Sequence, residues 1–384
     1  MKSAVHPESR LPDVGVSIFA VMTRLANEHG AINLSQGFPD FDGDPDLVAA
    51  VHRHMHAGHN QYAPMPGILA LREALASKIT RLYDARYDPV TEITITSGAT
   101  EALFDAITAF VRPGDEVVVF EPAYDAYVPV IRLSGGLPRF VTLRAPDYRI
   151  DWDEVRRVIT PRTRLLIVNS PHNPTGAVLS TDDLDQLAAV LDGGQVLILS
   201  DEVYEHMVFD GGRHESIARH PDLRQRACVV SSFGKTYHTT GWKVGYVSAP
   251  APLTAEIQRI HQFVTFATNT PIQMAYAEFT ERRESYDDLS TFYQAKRDRF
   301  LALLDGSRFV PVPCRGTYFQ ILDYSAISDQ ADAAFAMELL EDHGVASIPT
   351  SAFLYNSEAP QVLRFCFAKK DETLERAAAR LRQV

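Results

Sequence analysis

Six short β-rich runs recur between residues 90 and 250, with helical patterns in between: ITIT (93–96), EVVVF (116–120), RLLIV (164–168), VLIL (196–199), CVVS (228–231) and VGYVS (244–248). A strand that is apolar on successive positions has no solvent-facing side, so it must be covered on both faces. Alternation of such strands with helices predicts an α/β fold with a mostly parallel sheet between helical layers. Functional loops are then expected at the carboxyl ends of the strands.

The runs also exclude other architectures. Val117–Phe120 and Leu165–Val168 last four positions, far short of the ~18 apolar residues needed to span a bilayer. No membrane partner is expected. A formal net charge of −12 argues against a nucleic-acid partner, which favours a basic patch. Cys228, Cys314 and Cys366 are odd in number and contain no CxxC pair, so neither a disulfide framework nor a zinc site is expected. A reducing cytoplasm fits this cysteine usage, and the start MKSAVHPESRLPD lacks the apolar core of a secretory signal.

With 384 residues the chain has room for two domains. Helical spacing from Glu281 to Asp305 predicts a long helix leaving the sheet. Beyond it come a strand over Thr317–Leu322, a helix ending near Gly344, a strand over Val362–Phe367 and a terminal helix. This reads as a smaller α+β domain, 286–384, beside a large domain, 41–285. The segment 1–40 has weak periodicity and is expected to pack on the small domain or on a partner subunit.

Chemistry-bearing motifs follow the strands. In SSFGKTYHTTGWKVGY (231–246), Lys235 lies in a turn after Gly234, with Ser232 and Lys243 nearby. A lysine condenses with an aldehyde only when deprotonated, and a neighbouring cation or burial lowers its pKa. Gly234-Lys235-Thr236 also matches half of a phosphate-binding P-loop, but the required earlier glycine position is Val229, so that reading fails. Ser97-Gly98-Ala99-Thr100 opens a helical pattern and suits an anion, or else a plain N-cap. NSPHNPTG (169–176) is a rigid turn projecting Asn173. In SDEVY (200–204), Asp201 sits at a strand end with Tyr204 one helical turn on; singly, Asp201 is as well read as a helix cap. EPAY (121–124) offers the Tyr124 ring for stacking or for the core.

Together these motifs offer a phosphate cup, a stacking ring, a carboxylate for a ring nitrogen, donors for a ring hydroxyl and a lysine. At this point the chain resembles the fold type I pyridoxal-phosphate enzymes, specifically the class I aminotransferases, from SQGFPDF (35–41) to RFCFAKK (364–370). Its motifs are most similar to those of bacterial methionine aminotransferases and the related kynurenine/glutamine enzymes. The resemblance implies a seven-stranded sheet, pyridoxal 5′-phosphate as cofactor and a homodimer with shared sites. It implies that Lys235 carries the cofactor, Asp201 faces its ring nitrogen, Tyr204 and Asn173 contact its ring oxygen, and Tyr124 stacks on the ring. Gly98, Ala99, Thr100, Ser232 and Lys243 would hold the phosphate, joined by Tyr62 from the second subunit. Arg364, with Gly37 and Asn173, would bind the substrate carboxylate. Lys243 stands where the aspartate enzyme has arginine, and Tyr124 where that enzyme stacks a tryptophan.

The implied reaction moves an amino group from methionine or an aromatic or neutral amino acid to a 2-oxo acid, with ping-pong kinetics. Aspartate-selective relatives bring an arginine from the partner in the segment matching 263–270, which here contains no cation. Phe266, and Phe19 from the arm, would line an apolar side-chain pocket. Two alternatives share parts of this pattern: a β-eliminating C–S lyase, and a ligand-sensing regulator, for which the roughly 35 residues before the first motif are too few to bind DNA. No metal is expected. His52, His54, His56 and His59 read as a solvated helix face, and His214-Glu215 lacks the second histidine of a metalloprotease, Ala218 occupying its place. A Ser-His-Asp reading has no GxSxG to support it.

Overall fold

The protein is described by a computed structural model covering residues 8–282 and 286–384. All six apolar runs form strands: Ile93–Thr96, Glu116–Glu121, Thr163–Asn169, Leu197–Asp201, Ala227–Ser232 and Gly245–Ser248. A seventh, Leu137–Thr142, completes the sheet at its edge beside Glu116–Glu121. It escaped the apolar-run pattern because an edge strand faces solvent: Leu137 and Arg139 are exposed and Pro138 interrupts the run.

Across the sheet the strands run 93–96, 245–248, 227–232, 197–201, 163–169, 116–121, 137–142. Only Gly245–Ser248 runs against the others. Its connection from Ser232 carries only short helical turns, so the chain doubles back instead of crossing over. Alternate residues serve opposite layers. Val117, Val119, Leu165, Ile167 and Val230 pack on one side, while Val118, Phe120, Leu166, Val168 and Val229 pack on the other. Two buried faces are the reason these strands lack a polar period.

A second, antiparallel sheet has the order Ile348–Pro349, Val362–Cys366, Phe319–Asp323, Val310–Pro311. The helices Asp332–Glu341 and Asp371–Leu381 belong to this region. The first ends ahead of Gly344, whose φ of +64° makes the turn and whose carbonyl accepts from Ile32 N at 2.8 Å. Residues 18–28, expected to have weak periodicity, form an amphipathic helix with Met22 and Ala26 buried along it. These two pack on Leu340, Ala346, Ile348 and Phe353. Ile32–Asn33 then pairs in parallel with Val345–Ala346.

The long helix expected over 281–305 is not continuous. One helix, Thr270–Glu281, ends at Arg282 in extended backbone, and the next is Leu289–Leu303. Between them Tyr286 is buried against the His206 ring, and Leu289 N donates back to Tyr286 O at 3.3 Å, which holds a turn. Residues 283–285, and with them the expected domain boundary, lie outside the described residues. Among the described residues no helix is long and apolar enough to cross a membrane. All three cysteines are free and buried.

Candidate active site

The strand ends open into a cavity of about 250 Å³. It is lined by Phe19, Gly37, Gly98, Ala99, Thr100, Tyr124, Asn173, Asp201, Tyr204, Ser232, Lys235, Lys243 and Arg364. These thirteen come from strands, helix starts and turns across more than 340 residues of chain, and every residue expected from sequence to bind cofactor or substrate is among them except Tyr62 and Phe266.

One end suits an anion. Ser97 makes no side-chain cap to the helix Gly98–Phe110, so the N-cap reading does not hold, and the first helical N–H groups keep their outward donors. Ser97 N instead donates to the Glu101 carboxylate. Gly98 has φ +77°, and a Cβ there would sit 3.1 Å from Lys243 Nζ. A Cβ on Gly245 would lie 2.6 Å from Ala99 N. The two glycines let the helix start and the ammonium close on one point.

Asp201 ends its strand as a buried carboxylate. Tyr127 donates to its Oδ2 at 2.7 Å and Val203 N to its Oδ1 at 3.3 Å. Burial pushes its pKa up to about 6 against these bonds. Asn169 Nδ2 donates to the Asp201 carbonyl at 2.8 Å, and Asn169 Oδ1 accepts from Asn173 N at 2.8 Å. The strand end and the NSPHNPTG turn are thereby locked together. Tyr124 is bonded to Thr100, and burial raises its phenol to about 12.

Among the described residues, Arg364 is the largest fully buried side chain. Its Nη1 donates to Asn173 Oδ1 and its Nη2 to Ser35 O, both at 2.8 Å, while Nε is buried without a partner. The guanidinium lies 3.8 Å from the Phe319 ring centroid and 5.1 Å from that of Phe19. Burial lowers its pKa to about 10, which leaves it a cation at neutral pH. Phe19 is held by Gln36 Nε2, which donates to the Phe19 carbonyl at 2.9 Å.

Lys235 donates to Tyr318 Oη at 2.7 Å and to Gly37 O at 3.0 Å. Burial is the main cause that lowers its pKa to about 8, with Arg364 and Lys243 acting in the same direction. Tyr204 is buried with its phenol pushed well above its ordinary value by desolvation, and its ring meets that of Tyr318 edge-on at 5.1 Å. Sequence reading did not single out Tyr127, Asn169 or Tyr318. Tyr127 lies three residues after Tyr124 in EPAYDAY, where it opens the helix Tyr127–Leu133.

Tyr62 and Phe266 lie away from this cavity in their own chain. They are 84% and 46% exposed and meet edge-on at 5.5 Å, beside Phe263 at 86% exposure. Of the histidines on the Pro45–His56 helix, His52 and His56 contact each other at 3.0 Å and His54 contacts Glu278 at 2.6 Å; His59 lies past the helix end. His214 is bonded to Glu202 at 2.8 Å. A buried trio of Glu101, Asp105 and His261 lies behind the anion end. There His261 contacts both Glu101 and the Met65 carbonyl at 3.0 Å, tying the helix start to the segment that follows Tyr62.

The donor set fits pyridoxal 5′-phosphate: amide and ammonium donors at one end, a flat phenol, a buried carboxylate and an orphaned guanidinium nitrogen. The aminotransferase class I and II family pattern matches residues 29–381. The chain is 50% identical to the methionine aminotransferase of Escherichia coli strain K12 over 379 residues, covering 98% of each chain. A solved structure of an Escherichia coli protein with methionine aminotransferase function superposes with a TM-score of 0.97, covering 99% of this chain and all of that one. The N-succinyldiaminopimelate aminotransferase of Mycobacterium tuberculosis is 39% identical, with a TM-score of 0.95 over 98% of this chain and 100% of its own. The kynurenine–oxoglutarate transaminase of Dictyostelium discoideum is 35% identical over 98% of this chain and 96% of its own. The chain belongs to the class I and II aminotransferases and transfers amino groups with pyridoxal 5′-phosphate as its cofactor.

Proposed function

We propose that the amino donor is methionine or another neutral or aromatic amino acid, and that the working unit is a cytoplasmic homodimer with shared sites. The observation that carries the substrate reading is the cation count around the cavity. Its lining holds three cations, Lys235, Lys243 and Arg364. The first two serve the cofactor, which leaves Arg364 for one carboxylate among the rings of Phe19 and Phe319. The 263–270 segment adds Phe263 and Phe266 but no charge. Similarity to the Escherichia coli methionine enzyme supports the same reading. The β-eliminating alternative gains nothing from the relatives above, each an aminotransferase or transaminase by name.

In this reading Asn173 and the Ser35 carbonyl fix the guanidinium plane of Arg364, which takes the α-carboxylate and sets which Cα bond faces Lys235. Lys235 Nζ, its pKa lowered to about 8, removes the Cα proton as general base. Bound pyridoxal 5′-phosphate supplies the electron sink for that deprotonation. Asp201, steadied by Tyr127, would hold the cofactor's ring nitrogen in its protonated form, and Tyr204 and Asn173 would donate to its ring oxygen. Gly98, Ala99, Thr100, Ser232 and Lys243 would hold the phosphate, with Tyr62 contributed by the second subunit, and Tyr124 would stack on the ring. Gly37 borders the carboxylate site, where a Cβ would lie 2.7 Å from the Phe319 ring.

A panel of amino donors crossed with 2-oxo acid acceptors tests the substrate assignment. A second carboxylate buried in this pocket has no partner and costs several kcal/mol, so kcat/KM for methionine or phenylalanine is expected to exceed that for aspartate at least ~100-fold. Aspartate turning over as well as methionine would overturn the apolar-pocket argument.

A further inference from the structure

Tyr318 is the contact that the role set above leaves unused. Its side chain is fully buried, and its hydroxyl donates to the Gly37 carbonyl. That commits its single proton, so the oxygen turns a lone pair toward Lys235, whose Nζ donates to it at 2.7 Å. Lys235 also reaches the same Gly37 carbonyl at 3.0 Å, closing a three-membered network of amine, phenol and carbonyl. The phenol has little freedom to leave. Its ring is wedged edge-on against Tyr204 at 5.1 Å and Phe319 at 4.9 Å and tilted against Tyr293 at 5.6 Å. Desolvation pushes its ionisation well above the ordinary tyrosine range, so it stays a neutral acceptor.

A free lysine amine sits on four rotatable bonds and disperses unless something holds it. General bases lose most of their effect with about 1 Å of misplacement. We propose that Tyr318 is a positioning residue: its hydroxyl, anchored on the Gly37 carbonyl, holds the Lys235 amine whenever that amine is free and aims its lone pair at the reacting carbon. This rests on Lys235 being the reacting amine. Tyr318 exchanges no proton in the reaction itself and acts through Lys235, whose amine it holds at 2.7 Å.

The test uses the enzyme loaded with pyridoxamine 5′-phosphate, in which Lys235 is free. Competitive acetylation of Lys235 against pH, read by peptide mass spectrometry, reports the midpoint of that amine. A bond from Lys235 N–H to the phenol oxygen favours the ammonium form. Tyr318→Phe is therefore expected to lower the midpoint by about one pH unit. With the pyridoxal form, kcat is expected to fall roughly 10- to 100-fold while KM moves less than about 3-fold. Tyr293→Phe deletes a neighbouring buried hydroxyl that has no partner, and should leave both quantities in place. If Tyr318→Phe does not fold, 3-fluorotyrosine at position 318 keeps the shape with a poorer acceptor, and a smaller downward shift is expected. An unchanged midpoint in whichever of these variants folds overturns the proposal. Failure of the lysine assignment itself would show separately, as turnover surviving in Lys235→Ala.

Discussion

Lys235 and Arg364 are cations kept in the protein interior, and burial lowers the pKa of both, to about 8 and about 10. The consequences differ because only the lysine comes near neutrality. Its lowered value makes a fraction of free amine available at working pH, whereas the arginine remains a fixed positive fork. Lys235→Ala is expected to abolish transamination and the visible absorption band of the bound cofactor while retaining part of the cofactor affinity, because the anion end and Asp201 remain. A variant keeping both band and turnover would refute the assignment. Arg364→Lys cannot bond Asn173 and Ser35 and still present two parallel donors, so kcat/KM is expected to fall about 100-fold or more. Steady-state rates with methionine check this. At this scale Lys235, Asp201 and Arg364 were legible because each sits in a motif. Tyr127 and Tyr318 were not, since they are defined by partners 74 and 83 residues away in the chain.

Among elements, the contact between the helix Gly98–Phe110 and the strand Gly245–Ser248 decides how tightly the anion end closes. A Cβ at 245 would meet backbone on two sides, Ala99 N at 2.6 Å and Ser231 O at 2.8 Å, and neither can move without breaking the sheet register at Ser231↔Tyr246. Gly245→Ala is therefore expected to destabilise the protein by about 1–3 kcal/mol and to weaken cofactor affinity, read from denaturant midpoints and cofactor titration. Wild-type values for both would show that the two elements are not in contact. Strands with two buried faces were readable from their apolar runs, while the edge strand Leu137–Thr142 and the helix Ile18–Glu28 were not. The strand has one face in solvent and a proline within it, and few side chains are buried in either element. The helix expected over 281–305 starts only at Leu289, after Tyr286, whose ring packs against His206.

For the whole molecule, the exposed rings of Tyr62 and Phe266 meet edge-on, and Phe263 is exposed as well; the proposed second subunit would cover them. If sites are shared, a heterodimer of Lys235→Ala and Tyr62→Phe protomers holds one intact site. Random re-pairing makes half the dimers mixed, so mixing should restore up to about a quarter of wild-type activity. No gain, with mixed dimers shown to form, would count against shared sites. Acid stability is also a global property. Burial lowers His172 from 6.5 to about 4, so the unfolded chain binds the proton first as pH falls. Its contribution is complete above pH 6.5 and is lost toward pH 4. Asp201, raised from 3.8 to about 6, acts in the opposite sense and contributes stability that fades as pH rises through that range. Urea unfolding at fixed protein and cofactor concentration should show His172→Asn losing less stability than wild type between pH 6.5 and 4.5, by an amount on the order of 2–3 kcal/mol. Equal losses would place the acid sensitivity elsewhere.

Residue type alone was enough to place the sheet and the motif ends that carry Lys235, Asp201, Asn173 and Arg364. Two-sided burial and tight turns leave local, readable patterns in residue type. Tertiary structure alone decided how those side chains are held. Tyr127 reaches Asp201, Asn173 steadies Arg364, and Tyr318 with the Gly37 carbonyl receives Lys235. These bonds join residues far apart in the chain, and no local pattern of residue types encodes a distance that exists only once the sheets have packed.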